Sequence, residues 1–256
     1  MASNATAAVL AAEWTKIRTL RSTLLTPVFA VLVTVGLTVV SCASVRAELD
    51  DGGDRLSDDF HPVDSGFVGL QIGLLALVAF AALLVTGEYG SGMIRTSFAA
   101  VPDRRLFYAG KLLAVTAVVL PASLLSVGVS YPVSQAILGP HGVPLGEGAS
   151  WRAVLGAPLY VTLLCLLAVG VAALLRTTAR TLSLLLGALF ALSPLANALP
   201  GVREVARFLP DHAGAQVMTV GRADEVIGPW YGLGILAAWT VALVLGGLLA
   251  VRRRDC

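Results

Sequence analysis

Six stretches of the chain contain no Asp, Glu, Lys or Arg: 22–45, 65–87, 112–146, 153–175, 181–202 and 226–251. A hydrocarbon core about 30 Å thick takes about 20 helical residues to cross, at about 1.5 Å each. Every one of these runs is long enough. Inside lipid each backbone polar group needs an internal partner, which leaves helices or closed barrels. Barrel strands alternate apolar and polar positions over about ten residues, whereas Leu182 to Leu192 is continuously apolar apart from Ser183 and Gly187. The pattern therefore predicts an all-α polytopic integral membrane protein. Its six transmembrane helices are expected at about 22–45, 65–87, 112–137, 153–175, 181–200 and 229–251. The third is ended near Ile137, before Gly139-Pro140.

Shorter amphipathic pieces lie between and before these runs. Leu10, Trp14 and Ile17 share a helical face within 9–21, flanked by Lys16 and Arg18, which suits a helix lying in the membrane interface. Ser22-Thr23 and Pro27 are expected to begin the first span. In 88–111, Ile94, Phe98 and Val101 follow i, i+4, i+7 spacing. Ser91 is the expected N-cap of this short helix, and Pro102 stops it.

Composition agrees with this reading. Of 256 residues, 57% are apolar and 13% charged, with mean hydropathy +0.83; a soluble domain carries about 25% charge. Charge placement sets the orientation. With both termini cytoplasmic, twelve basic and four acidic residues lie inside, a net +8, and six basic and twelve acidic residues lie outside, a net −6, which recovers the overall +2. A chain this poor in charge is not expected to bind nucleic acid. The external loops are then 46–64, 138–152 and 201–228. The first holds seven carboxylates, Glu48, Asp50, Asp51, Asp54, Asp58, Asp59 and Asp64, without the calcium-loop pattern.

Cys42, Cys165 and Cys256 fall at different depths, so no disulfide framework or metal cluster is expected. Val39-Val40-Ser41-Cys42 resembles a lipoprotein cleavage box, but the apolar run before it exceeds the 7–15 residues of a signal core. No phosphate-binding G-x-x-x-x-G-K-[ST] is present, since Gly110-Lys111 is followed by Leu112. No span contains a carboxylate, and His61, His141 and His212 all lie in external loops, so the intramembrane relay of an ion-coupled carrier is missing. The chain is expected to have no enzymatic activity of its own, and energy for uphill transport would come from a partner.

Glu13-Trp14-Thr15-Lys16 and Thr86-Gly87-Glu88-Tyr89-Gly90-Ser91-Gly92-Met93-Ile94-Arg95-Thr96 carry a resemblance, together with Pro102-Asp103-Arg104-Arg105, Ala206-Arg207-Phe208-Leu209-Pro210 and Arg252-Arg253-Arg254-Asp255. The chain resembles the permease subunits of ATP-binding-cassette (ABC) exporters of the type-two family, in the form common in actinobacteria. The resemblance implies an N-terminal interfacial helix, six spans and a coupling helix docking on a separate soluble ABC ATPase. That partner would bind ATP and Mg, leaving no cofactor in this chain. It implies two permease subunits, identical or similar, with two ATPases in the plasma membrane, and short re-entrant helices within 200–229. The implied coupling residues are Glu88, Tyr89, Ile94, Arg95, Phe98, Val101, Arg104 and Arg105. Among them Ile94, Arg95 and Phe98 would face the ATPase, and Glu88 would sit at the hinge.

The third span carries a polar stripe of Ser123, Ser126, Ser130 and Ser134. Such serines commonly bond their own backbone or a neighbouring helix; with Gln71 and Asn197 they are also candidates to line a translocation path. Gly69 and Gly73 form a G-x-x-x-G pair, and Gly232, Gly234, Gly246 and Gly247 thin the last span. These are candidates for a dimer seam or for packing within the chain. A non-transporting scaffold or sensor, recruiting a cytoplasmic protein through 88–111, is the alternative reading.

Overall fold

The computed structural model describes residues 2–19, 21–51, 61–146, 149–189, 195, 201–220 and 227–253. The helices are α1 (Ala2–Thr19), α2 (Arg21–Asp50), α3 (Pro62–Ser65), α4 (Val68–Gly90), α5 (Met93–Ala100), α6 (Arg104–Leu138), α7 (Ser150–Leu175), α8 (Thr178–Gly187), α9 (Arg203–Ala206), α10 (Pro210–Ala215) and α11 (Pro229–Arg253). No strand occurs among the described residues. Among the described residues, five segments are long and apolar enough to cross a membrane: Leu24–Asp50, Pro62–Gly90, Arg104–His141, Ser150–Leu175 and Pro229–Arg253. This is the build of a multi-pass membrane protein. The sixth expected span, 181–200, begins as the second half of α8; most of the rest lies outside the described residues, as does Asn197.

α2, α4, α6 and α7 alternate in direction and α11 runs parallel to α7, giving the bundle two distinct ends. At one end, Lys16 meets Glu88, and the Arg104 and Arg176 guanidiniums donate to carbonyls of the last turn of α11. We call it the α5 end. At the far end, Arg46 donates to the Ile137 carbonyl at 2.8 Å, Arg152 to the Thr219 carbonyl at 2.9 Å, and the Val220 amide to Asp64 at 2.8 Å.

α7 is the central helix. In its most apolar window 72% of residues are buried, against 22% in α2 and 28% in α11. Its neighbours are α4, α6 and α11, while α2 packs outside α4 and α6. Lipid tails are as apolar as leucine, so these contacts depend on close packing rather than on water exclusion. Gly69 and Gly73 lie against Thr34 and Thr38 of α2, and a Cβ on either would overlap α2. A Cβ on Gly170 would come within 2.6 Å of the α11 backbone, and one on Gly247 within 3.0 Å of the Gly170 carbonyl. The glycine pair in α4 thus packs within the chain, as do Gly232, which abuts the Ala213 carbonyl, and Gly247. Gly246 has only a loose neighbour in Leu174 at 3.8 Å, and Gly234 has none within 4 Å.

Several boundaries differ from those expected. α2 is continuous from Arg21, so Pro27 is inside it rather than in its first turn. α6 starts at Arg104, not near 112, because the Asp103 carboxylate accepts from the Arg105 and Leu106 amides at 2.9 and 3.4 Å. Lys111 is thereby drawn into a long helix. Ser91 does not cap α5. Its hydroxyl donates to the Gly87 carbonyl and closes α4, while Gly92, at φ +73°, makes the turn into α5. That left-handed conformation favours glycine.

The loop expected at 201–228 does not stay outside the bundle. Trp239 Nε1 donates to the Phe208 carbonyl at 3.1 Å, and Trp239 is ten residues into α11. At about 1.5 Å per residue this is about 15 Å from the α11 start, half of a hydrocarbon core. α9 and α10 thus form a turn that dips to mid-depth and returns, with Ala213 at Gly232 and Gly156 at Val217.

Packing this close gives a test. Gly73→Leu should destabilise the detergent-solubilised protein by about 1–3 kcal/mol. Gly87→Ala, whose new Cβ meets nothing within 4 Å, should be neutral or stabilise by up to about 1 kcal/mol. Thermal unfolding followed by size-exclusion chromatography separates the two outcomes.

Candidate functional site: a buried ion cluster under the α5 helix

Two carboxylates and two ammoniums meet where α1, α4 and α6 converge. Lys111 Nζ lies 2.6 Å from Glu88 Oε1 and 2.6 Å from Glu13 Oε2. Lys16 Nζ lies 2.7 Å from Glu88 Oε1 and 2.9 Å from Glu13 Oε1. Lys111, Glu13 and Glu88 are buried, and the Lys16 side chain is 26% exposed. Equal numbers of opposite charges make the group neutral, which is the condition for keeping charge out of water. Close approach of α1 to α6 permits it: Val9 packs on Gly110, one residue before Lys111. Burial lowers the Lys16 pKa, but hydrogen bonds to Glu88 and Glu13 and their charges outweigh it, so the net shift is upward.

α5 is held over this cluster by its apolar face. Ile94 is 5% exposed, and the Phe98 ring packs edge-on against Phe107 with centroids 5.0 Å apart. Arg104 stacks over the Phe98 ring at 5.3 Å, and Lys16 Nζ reaches Ser97 Oγ at 3.4 Å. Ile94 is thus buried and Phe98 half-buried against the chain itself, whereas the resemblance implies that they face a partner. With an apolar stripe of its own chain beneath it, α5 turns those side chains inward. Arg95, also expected to face outward, is exposed, along with Met93, Thr96, Ala99 and Ala100. Val101 is half-buried and lines a groove of about 220 Å³ between α1 and α5.

The remaining coupling candidates separate. Arg104 Nη1 donates to the Val251 and Arg252 carbonyls at 3.0 and 3.3 Å. It and Arg176, bonded to the Ala250 carbonyl at 3.0 Å, occupy carbonyls that a helix C-terminus leaves unpaired. Arg176 also lies 5.2 Å over the Tyr89 ring. Arg105 is exposed.

The polar stripe of α6 is wholly buried. Ser123, Ser126 and Ser134 donate to the Leu120, Ala122 and Tyr131 carbonyls of their own helix, and Ser130 has no hydrogen-bond partner among the described residues. Gln71 is exposed on α4 and is not gathered with them.

Glu13, Lys16, Lys111 and Arg176 were not singled out as site residues from sequence. Two signals were present: Glu13 and Lys16 at i, i+3 on an interfacial helix, and acid and base on facing span ends in Glu88 and Lys111. Charges treated as span boundaries are not examined as partners. No protein-family profile matches the chain, and no curated protein matches it.

Removing one member strands a buried charge. Lys111→Met should cost about 3–5 kcal/mol, read as a lower thermal midpoint. A raised folded pKa gives stabilisation that is complete below the ordinary 10.5 and is lost as pH rises through the folded value. The wild type should therefore lose this contribution above pH 10.5, and Lys16→Met should lack that alkaline loss.

Proposed function

We propose that this chain is the membrane-embedded permease subunit of an ATP-driven exporter, moved by a separate ATPase that binds the outer face of α5. One observation carries the proposal. An eight-residue helix lies between two long helices, with its apolar face locked to the chain and its other face free. Lys16 joins it to the buried charges of α4 and α6, so a push on α5 reaches both long helices through short contacts.

Other features support the same reading. The sequence has no phosphate-binding loop, so work must be supplied from elsewhere. The α5 end carries the excess of basic residues, which makes it the cytoplasmic side. α8 begins at that end, where Thr178 bonds Thr86, and α10 returns at the far end beside α11. These positions of α8 and α10 at opposite ends support the reading of a sixth span at about 181–200. The turn at 203–215 has the position of the re-entrant helices that the family resemblance implies. Two copies of the permease and two of the ATPase, in the plasma membrane, complete the assembly.

The surface that a partner can reach is Met93, Arg95, Thr96 and Ala99, and the test is directed there. Arg95→Glu with Met93→Asp should weaken co-purification with the soluble ATPase encoded beside this chain by at least about tenfold, the scale of a lost charge-paired contact. Thermal stability should stay close to wild type, since both side chains are exposed. Undiminished association in that double variant would remove α5 as the docking element.

A further inference from the structure

The re-entrant turn places Asp211 where the sequence showed no charge. Asp211 lies three residues beyond Phe208, whose carbonyl is at mid-depth of α11. It lines a cavity of about 70 Å³ with Val78, the eleventh of 23 residues in α4, and Leu164, the fifteenth of 26 in α7. Three separate long helices thus give it the same depth. The other walls, including Leu167, Leu185 and Leu189, are apolar.

Asp211 makes no hydrogen bond or ion pair with the described residues. Its chain neighbours Arg207 and His212 each take part in an interaction. The titratable group that feels its charge is Tyr160, fully buried in α7 and packed on Gly214. A phenol can donate a hydrogen bond but supplies no positive charge. An acidic side chain at the middle of a membrane bundle is costly and marks a pathway or a ligand unless a counter-charge is present. No salt bridge to Asp211 is formed among the described residues.

From these observations we infer that Asp211 is a recognition site for the cationic head of an organic solute, a protonated amine or quaternary ammonium carrying an apolar body. The carboxylate supplies the opposite charge, and the leucines and Val78 cover the apolar part. The size of the cavity suits a head group rather than a whole solute. Glu48, Asp50, Asp51 and Asp64 add negative charge at the far end of the bundle, and such a field raises the local concentration of cations. The inference deepens the permease reading by naming a substrate class, and it rests on that reading only for the claim that the bound cation is transported. Binding requires no ATPase.

The test uses the full chain in nanodiscs without any partner, and three probes sharing one body: 4-phenylbutylamine, 4-phenylbutanol and 4-phenylbutyrate at pH 7, titrated by calorimetry against empty nanodiscs. The amine should bind at least tenfold tighter than the alcohol, and the carboxylate should bind weakest. Asp211→Asn should bring the amine to the level of the alcohol while leaving the alcohol unchanged, which shows the cavity intact. Asp211→Glu should keep the preference for the amine. Equal binding of amine and alcohol by the wild type overturns the inference whether or not any variant folds, and so does an Asn variant that still prefers the amine. Such a failure leaves the α5 docking test standing, and failure of that test leaves this one standing.

Discussion

Two lysines and two glutamates, closed on one another under α5, are the contact on which the α5 end of this bundle depends. A charge without a partner is very costly in a low-dielectric setting, and a balanced set is tolerated only when its members stay together. Glu13, Lys16, Glu88 and Lys111 come from three different helices, so none of those helices can leave without stranding the others. Packing in lipid is close and non-directional, and it would let helices slide. The ion cluster removes that freedom at one end, while glycine contacts such as Gly73 on Thr34 and Gly247 on Gly170 hold the helices at fixed distances along their length.

This construction explains why α5 suits the transmission of motion. Its apolar face is committed to Phe107 and the core, Lys16 ties it to the charges through Ser97, and Met93, Arg95, Thr96, Ala99 and Ala100 are exposed. Arg104 and Arg176 extend the connection to the last turn of α11 through backbone carbonyls. α5 is thereby linked to α1, α4 and α6 through buried contacts, and to α11 through two half-buried arginines. The far end is built differently, from arginine–carbonyl contacts and a turn that dips back into the bundle.

Much of the fold was legible in the sequence, for a physical reason. Long uncharged runs have few alternatives to a helix in lipid, and five of the six expected segments are long apolar helices. The short amphipathic element was legible in its spacing, and its stop at Pro102 follows from proline sterics. What escaped reading depended on tertiary contact. Lys111 was set at the edge of a span because charge was used as a boundary, whereas Asp103 caps a helix that takes Lys111 inside. The family resemblance implies that Ile94 and Phe98 face outward, whereas periodicity shows that a face exists and not what covers it. Asp211 was counted with an external loop, since no local pattern reveals that 203–215 turns inward. The serines of α6 looked like a path, yet three are bonded to their own helix.

The central claim is that α5, α4 and α6 respond together because the ion cluster joins them. Hydrogen exchange on the reconstituted complex, with and without ATP, tests it directly. A change in amide protection across 93–100 on nucleotide binding should be accompanied by changes in 85–90 and 104–111. A change confined to 93–100, or none in any of the three segments, would contradict the account.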